Sequence, residues 1–388
     1  MDQPFGPAGL EIDASYRNRL DIPSFLQMLK DPSYCYKFYW LEAIVNLISE
    51  NVTETTFNDI IDEMICNAWY SVREFHIHLS GIGMDGEIRD GLERTVLRLS
   101  ELSDLSSNAS KVEIKNAIRK HDAELSRTKG QLTNMVPYRA MAGFFANAGV
   151  TVPWDSVVKM KETISSFSYE VTALPYTLGD SSRLNKEVRF HPDWVRMIQD
   201  NTVAILGWIQ YEKVKWLQNN NPEVPGLVYK LLPMDEKMRK LGKVRDLWEG
   251  ILSIQPITDV FTDKPIIKGQ YDIDHFIPWS FVMNDELWNL MPMDSSLNSS
   301  KSNRLPQWDP FYKRFSDNQY VLYQLINKQP GIHKLYEQCW RDNLHSIWAG
   351  QELYCPGNSR EAFDAILSKN MRPVYDSAKR QGYEVWYF

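Results

Sequence analysis

Cysteine is scarce in this chain: four in 388 residues, Cys35, Cys66, Cys339 and Cys355, with no two in CxxC spacing. That argues against a disulfide framework or a zinc knuckle and fits a reducing cytoplasm. No run of eighteen apolar residues occurs, so no transmembrane helix and no membrane partner are expected. The opening residues, Met1-Asp2-Gln3-Pro4, carry neither the basic nor the apolar stretch of a secretory leader, and none is expected. Positive charge is also in deficit, with 43 Lys and Arg against 50 Asp and Glu and a net charge of −7. Phosphate binding depends on Lys and Arg, so this composition argues against a surface that grips nucleic acid by bulk charge.

What the chain has is core-forming material, 43% hydrophobic and 12% aromatic, in a length that suits two domains. The first half reads as helical. Phe38, Leu41, Ile44, Val45 and Ile48 recur at helical spacing. Thr56 is a helix N-cap with Asp59 three residues on. Further helices are expected over 88–102, 111–129, 138–148 and 192–218, and one opening at Pro153-Trp154. The segments 175–178 and 187–190 read as a strand hairpin. Asn219-Asn220-Asn221-Pro222 closes this part. The expected division is a helical N-terminal domain over 1–222, serving recognition, regulation or partner binding, and a second domain over 223–388. The region beyond Pro233 to Leu252 is expected to be a basic helix, and the tail from Gln307 helical with a final strand over 384–388.

The chemistry concentrates in one-tenth of the chain. Asp272-Ile273-Asp274-His275-Phe276-Ile277-Pro278-Trp279-Ser280 offers carboxylates and an imidazole. Trp288-Asn289-Leu290 follows, then Asn298-Ser299-Ser300-Lys301-Ser302-Asn303-Arg304. Phosphodiester hydrolysis needs a metal, a base for water and a cation near the phosphate, and this stretch holds candidates for all three. Asp274 and His275 are adjacent, so on a regular strand they point to opposite faces, and a bulge or twisted strand end is needed for both to reach one site. Asn298 and Lys301 lie three apart and share a face if helical; near a helix start, free N–H groups there favour phosphate. Asn289 reads as a brace for the loop that orients His275. His76 and His78 form an HxH pair with no third ligand nearby, and the remaining histidines are isolated.

The order and spacing of His275, Asn289 and Asn298 resemble the HNH (ββα-metal) endonuclease family, and most closely the HNH nuclease domain of RNA-guided CRISPR endonucleases. The resemblance covers about 257–306; nothing outside that window resembles the RNA-guided enzymes. The whole chain looks like bacterial HNH restriction or phage-defence nucleases. The resemblance implies a mainly α fold, with a ββα-metal module flanked by helices in the second domain. It implies Asp274 and Asn298 as metal ligands and His275 as general base, with Asn289 supporting it and Lys301 near the scissile phosphate. An all-oxygen shell suits Mg²⁺ or Mn²⁺. Many HNH proteins carry a structural zinc held by CxxC pairs; here packing must serve instead.

The expected substrate is DNA. Between Ile251 and Pro310, eight acids face four bases, Lys264, Lys268, Lys301 and Arg304. The bases for DNA are therefore sought in Lys237, Lys240 and Lys243, within a stretch that also holds Lys230, Arg239 and Arg245, and in Arg304. The alternative is a partner- or ligand-regulated sensor whose nuclease module is silent until triggered, or one that acts on RNA. A partner protein then supplies recognition or activation.

Overall fold

The computed structural model describes residues 10, 12–30, 32–83, 87–167, 174–231 and 239–388. The chain is mainly α, with small sheets, and it divides into two compact units, Met1–Pro222 and Glu223–Phe388.

The first unit is helical around a short sheet. Helix α1 (Tyr36–Ser49) is apolar nearly all round and is buried along most of its length. Strand β1 (Glu54–Thr56) leads into α2 (Phe57–Phe75), which opens on a capping box: the Thr56 hydroxyl accepts from the Asp59 N–H, and the Asp59 carboxylate accepts from the Thr56 N–H. Helix α3 (Gly91–Leu102) starts at an Asp90 cap. The sequence suggests one helix over 111–129; the structure has two, α4 (Lys111–Lys120) and α5 (Asp122–Leu132), broken at His121. The Ile114/Ile118 stripe does not continue through His121 and Asp122, so the apolar face restarts at Leu125. The 138–148 helix likewise divides, into Val136–Arg139 and Ala142–Asn147, and the next runs Val157–Phe167.

Strand β2 (Tyr176–Leu178) pairs antiparallel with β3 (Glu187–Phe190) as the hairpin pattern indicates, and β1 adds to the far edge of β3. Three residues are too few for β1 to show a period. The long 192–218 helix is α6 (Pro192–Asp200) and α7 (Thr202–Asn220), interrupted at Asn201. There the Asn201 amide and the Thr202 hydroxyl turn back to the carbonyls of Met197 and Ile198, the competition that makes such residues poor helix interiors.

In the second unit, helix α8 (Gly242–Leu252) buries Val244, Leu247, Trp248 and Ile251. Two antiparallel strands follow, β4 (Asp272–His275) and β5 (Leu290–Met293), and then helix α9 (Ser295–Lys301). Strand β6 (Leu305–Pro306) pairs in parallel with the last strand, β7 (Val385–Trp386). Between them lie α10 (Trp308–Lys328), α11 (Pro330–Asn343) and α12 (Arg360–Arg380). One apolar core runs through β4, β5 and these helices. Trp288 sits in it against Trp348, its indole N–H on the Ser346 hydroxyl. Trp279 is half-buried beneath the Arg239 guanidinium.

Candidate active site

The pairing of β4 with β5 is regular: Asp272 faces Met293, Ile273 Pro292, Asp274 Met291 and His275 Leu290. Burial alternates along β4, with Asp272 and Asp274 half-exposed and Ile273 and His275 buried. The bulge expected between Asp274 and His275 is absent. The two side chains leave opposite faces of the strand, as a period of two requires.

The Asp274 side meets α9. Asp294 caps this helix by accepting from the N–H groups of Ser296 and Leu297. Buried Asp259 fixes the approach, taking the Asp294 N–H on one oxygen and the N–H groups of Phe261 and Thr262 on the other. Asn298 then lies beside Asp272, its Nδ2 at 3.4 Å from Asp272 Oδ2, which leaves the amide oxygen without a protein partner among the described residues. Lys301 is not at the surface. It is 1% exposed, donates to the His275 carbonyl at 2.8 Å and stands 2.9 Å from Asp274 Oδ2. That second contact is an ion pair without a well-directed hydrogen bond, so Asp274 Oδ2 is enclosed with unmet acceptor capacity. The position expected near a phosphate is thus held by an ammonium turned inward onto Asp274.

On the other face the His275 ring is 2% exposed. Its Nε2 lies 3.2 Å from the Asn284 carbonyl and, off the N–H axis, 3.0 Å from Asp285 Oδ1. Asp285 Oδ2 accepts the Lys240 backbone N–H at 2.7 Å. Burial works to raise the Asp285 carboxyl, but His275, the Lys240 N–H and the Arg239 charge outweigh it and hold it below its ordinary range. Asn289 is fully buried. Its amide oxygen accepts the Ile277 N–H and its amide nitrogen donates to the Ile277 carbonyl, both at 2.8 Å, while the Phe276 N–H donates to the Asn289 carbonyl. It clamps the chain just after His275.

The donor set suits a hard cation. Asp272, Asp274 and the Asn298 amide offer only oxygens, and Mg²⁺ is commonly held by one or two carboxylates with water and substrate completing its shell. Among the described residues no three His, Cys, Asp or Glu side chains cluster as a metal site. Any ion held here therefore relies on the amide, water and phosphate.

The bases expected to meet DNA are dispersed. Lys237 lies outside the described residues. Lys240 precedes α8 and Lys243 is in its first turn; both ammonium groups pair with Asp342, at 2.9 and 2.8 Å, and pull its carboxyl down to about 2. Lys230 is fully buried, donates to the Phe281 carbonyl and is pushed by burial down to about 7. Arg304 turns onto the Lys301 and Ser300 carbonyls that end α9, a favourable place for a cation. In the first unit, His78 is taken up by Glu93 at 2.7 Å, and burial lowers the neighbouring His76 to about 4. The HxH pair is part of that unit's interior.

The sequence reading missed Asp285 and Asn343. Asn343 is buried and its amide donates to the carbonyls of Lys240 and Asp285 together. Asp285 sits ten residues past His275, in a loop whose return to the imidazole no periodicity announces.

Residues 259–307 match a family model described as HNH endonuclease. The match begins at the Asp259 brace and spans β4, β5 and α9. No curated protein and no solved structure matches the chain. No helix among the described residues is long and apolar enough to cross a membrane.

Proposed function

We propose that this chain, which carries an HNH endonuclease module at residues 259–307, hydrolyses phosphodiester bonds of DNA with a divalent metal, Mg²⁺ or Mn²⁺. Its setting would be bacterial restriction or phage defence. The observation that carries the reading is the oxygen set on one face of β4, where Asn298 meets Asp272 and the enclosed Asp274 carboxylate has unmet acceptor capacity. Asp274 Oδ2 is enclosed against Lys301, two residues on from Asp272 on the same strand face, and His275 follows on the opposite face. Asp274 and Asn298 would hold the ion, with Asp272 beside them. The ion would offset the charge that builds on the phosphate and the leaving oxygen.

The remaining work falls to the chain's own groups. His275 accepts a proton from water as the water oxygen bonds to phosphorus; the bond to the leaving oxygen breaks, and that oxygen takes a proton from solvent. Asn289 holds the backbone that carries the ring. Lys301 offsets the charge of Asp274 until an ion takes that part. Arg304, Lys240, Lys243 and Lys237 are the candidate phosphate contacts.

The test is nicking of supercoiled plasmid by the purified full chain with Mg²⁺ or Mn²⁺ and with excess chelator. Cleavage that needs the ion and is lost in Asp274→Ala and Asn298→Ala supports the reading. Equal cleavage in chelator, or tightly bound zinc at these residues, contradicts it. A second reading is favoured by one observation: the module's eight acids to four bases, together with the engagement of Lys240 and Lys243 by Asp342. On that reading a partner supplies the positive surface and triggers an otherwise idle nuclease, and cleavage appears only when the partner is added. RNA in place of plasmid tests the remaining substrate alternative.

A further inference from the structure

We infer that an open cleft in the first unit is a binding site for a small phosphate ester, a nucleotide or a sugar phosphate, held by Arg127, Arg183 and Lys161. The inference concerns the first unit alone and stands whether or not the second is a nuclease.

The cleft has a volume of about 950 Å³, within the range of small-ligand sites. Helix α5 brings Arg127 to its lining, the 3₁₀ turn Arg183–Asn185 between β2 and β3 brings Arg183, and helix Val157–Phe167 brings Lys161. Neither guanidinium makes a hydrogen bond or ion pair among the described residues, although the chain as a whole is acidic. Lys161 is half-buried and donates to the Asn134 amide oxygen at 3.0 Å, with no carboxylate in reach among the described residues. Burial, and then the charge of Lys186, lower its pKa. Three cations from three elements thus line one concavity with no protein counter-charge, and phosphate is the group that guanidinium forks match best.

Two acceptors in the same lining narrow the ligand further. Asp122 takes Lys129 on Oδ1 at 2.9 Å, which leaves Oδ2 without a partner among the described residues. The Asn58 amide oxygen is enclosed and has no hydrogen-bond partner. A bare anion has little to offer either of them. A phosphate ester with hydroxyl or amino groups supplies anionic oxygens for the cations and donors for these acceptors.

The backbone is shaped to the same end. Gly130 lies within α5, where glycine is unfavourable, and a Cβ there would meet no atom within 4 Å; its effect is to keep the wall of the cleft open. Arg183 has a left-handed φ of 54°, a conformation that non-glycine residues hold only where the surroundings impose it.

The deciding experiment is calorimetric titration of the full chain, in chelator at low ionic strength, with AMP, ribose 5-phosphate and inorganic phosphate. At least one ester should bind, about tenfold or more tighter than inorganic phosphate. AMP binding the tighter identifies a nucleotide site; ribose 5-phosphate binding as tightly or tighter identifies a sugar-phosphate site. Arg127 and Arg183 are exposed, so Arg127→Gln and Arg183→Gln keep the fold, and each should weaken the ester by about tenfold or more, the loss of a charge-assisted hydrogen bond. Gly130→Leu should fill the opening and abolish binding without lowering Tm. No ester binding at millimolar concentration, inorganic phosphate binding as tightly as the esters, or unchanged affinity in these variants overturns the inference. So does a thymidine oligonucleotide that binds, and is weakened by the same variants, when neither ester does; the cleft would then belong to a nucleic-acid strand.

Discussion

Asn289 shows how one polar residue can be fully buried and still stabilise its surroundings. Both ends of its amide are matched to one backbone residue, Ile277, so neither the side chain nor the peptide is left unsatisfied. Asn289→Ala removes both partners at once and strands a buried N–H and a buried carbonyl, each costing about 1–3 kcal/mol. We expect a loss of roughly 2–5 kcal/mol in chemical denaturation of the full chain. A loss below about 0.5 kcal/mol, the range of an ordinary surface change, would show that water replaces the amide. Asn289 is legible from spacing alone as a brace, because a turn asparagine and a clamping asparagine have the same donors and acceptors. Lys301 is not. Its spacing from Asn298 gives the helix face, but whether that face looks out to phosphate or in to Asp274 depends on the Asp259 brace that seats the helix.

At the level of elements, the buried bases tell more than the exposed ones. Lys230 ends a short 3₁₀ turn, Leu227–Lys230, with its ammonium on the Phe281 carbonyl and over the Phe281 ring. Burial lowers its pKa to about 7 from 10.5. Between those values the unfolded chain holds a proton that the folded chain has released, so stability rises with pH across that window. The penalty for a charged buried Lys230 is complete below about pH 7 and gone above about pH 10. Lys230→Met should therefore raise Tm relative to wild type at pH 6, with a smaller gain at pH 9, as followed by calorimetry. A difference independent of pH would contradict the lowered pKa. Sequence alone reads the region beyond Pro233 to Leu252 as one basic helix and counts Lys230 among the bases beside it, since composition records charge but not burial. Helix α8 begins only at Gly242, so Lys240 and Lys243 do not form a helical stripe; both instead serve Asp342.

For the whole molecule the problem is charge. A net −7 must be reconciled with the polyanionic substrate proposed, and ion pairs whose ammonium groups are exposed, as Lys240 and Lys243 are on Asp342, are worth only about 0–1 kcal/mol. Those lysines can therefore turn to phosphate at little cost. Lys240→Gln with Lys243→Gln should leave Tm nearly unchanged, yet reduce the salt slope of DNA binding by roughly 0.9 for each phosphate that is no longer neutralised. An unchanged slope would assign them to the Asp342 brace alone. The helical character of the chain, the Thr56 cap and the β2–β3 hairpin are legible in the sequence, because each rests on local pattern; the strand–strand–helix order of the module is what the resemblance to the HNH family implies. Strand β1 and the Asp285 contact are not legible, because partners elsewhere in the chain settle them; the breaks at His121 and Asn201 are local, where the apolar stripe lapses and where the Asn201 and Thr202 side chains turn back to backbone carbonyls.

The central claim is that the end of β4 is a phosphodiesterase centre with His275 as its base. The most direct measurement is the single-turnover rate of plasmid cleavage by His275→Ala beside wild type, at saturating Mg²⁺ or Mn²⁺ and with matched circular dichroism. The account predicts a fall of about 10²–10⁴-fold. A His275→Ala rate within a few-fold of wild type would contradict it.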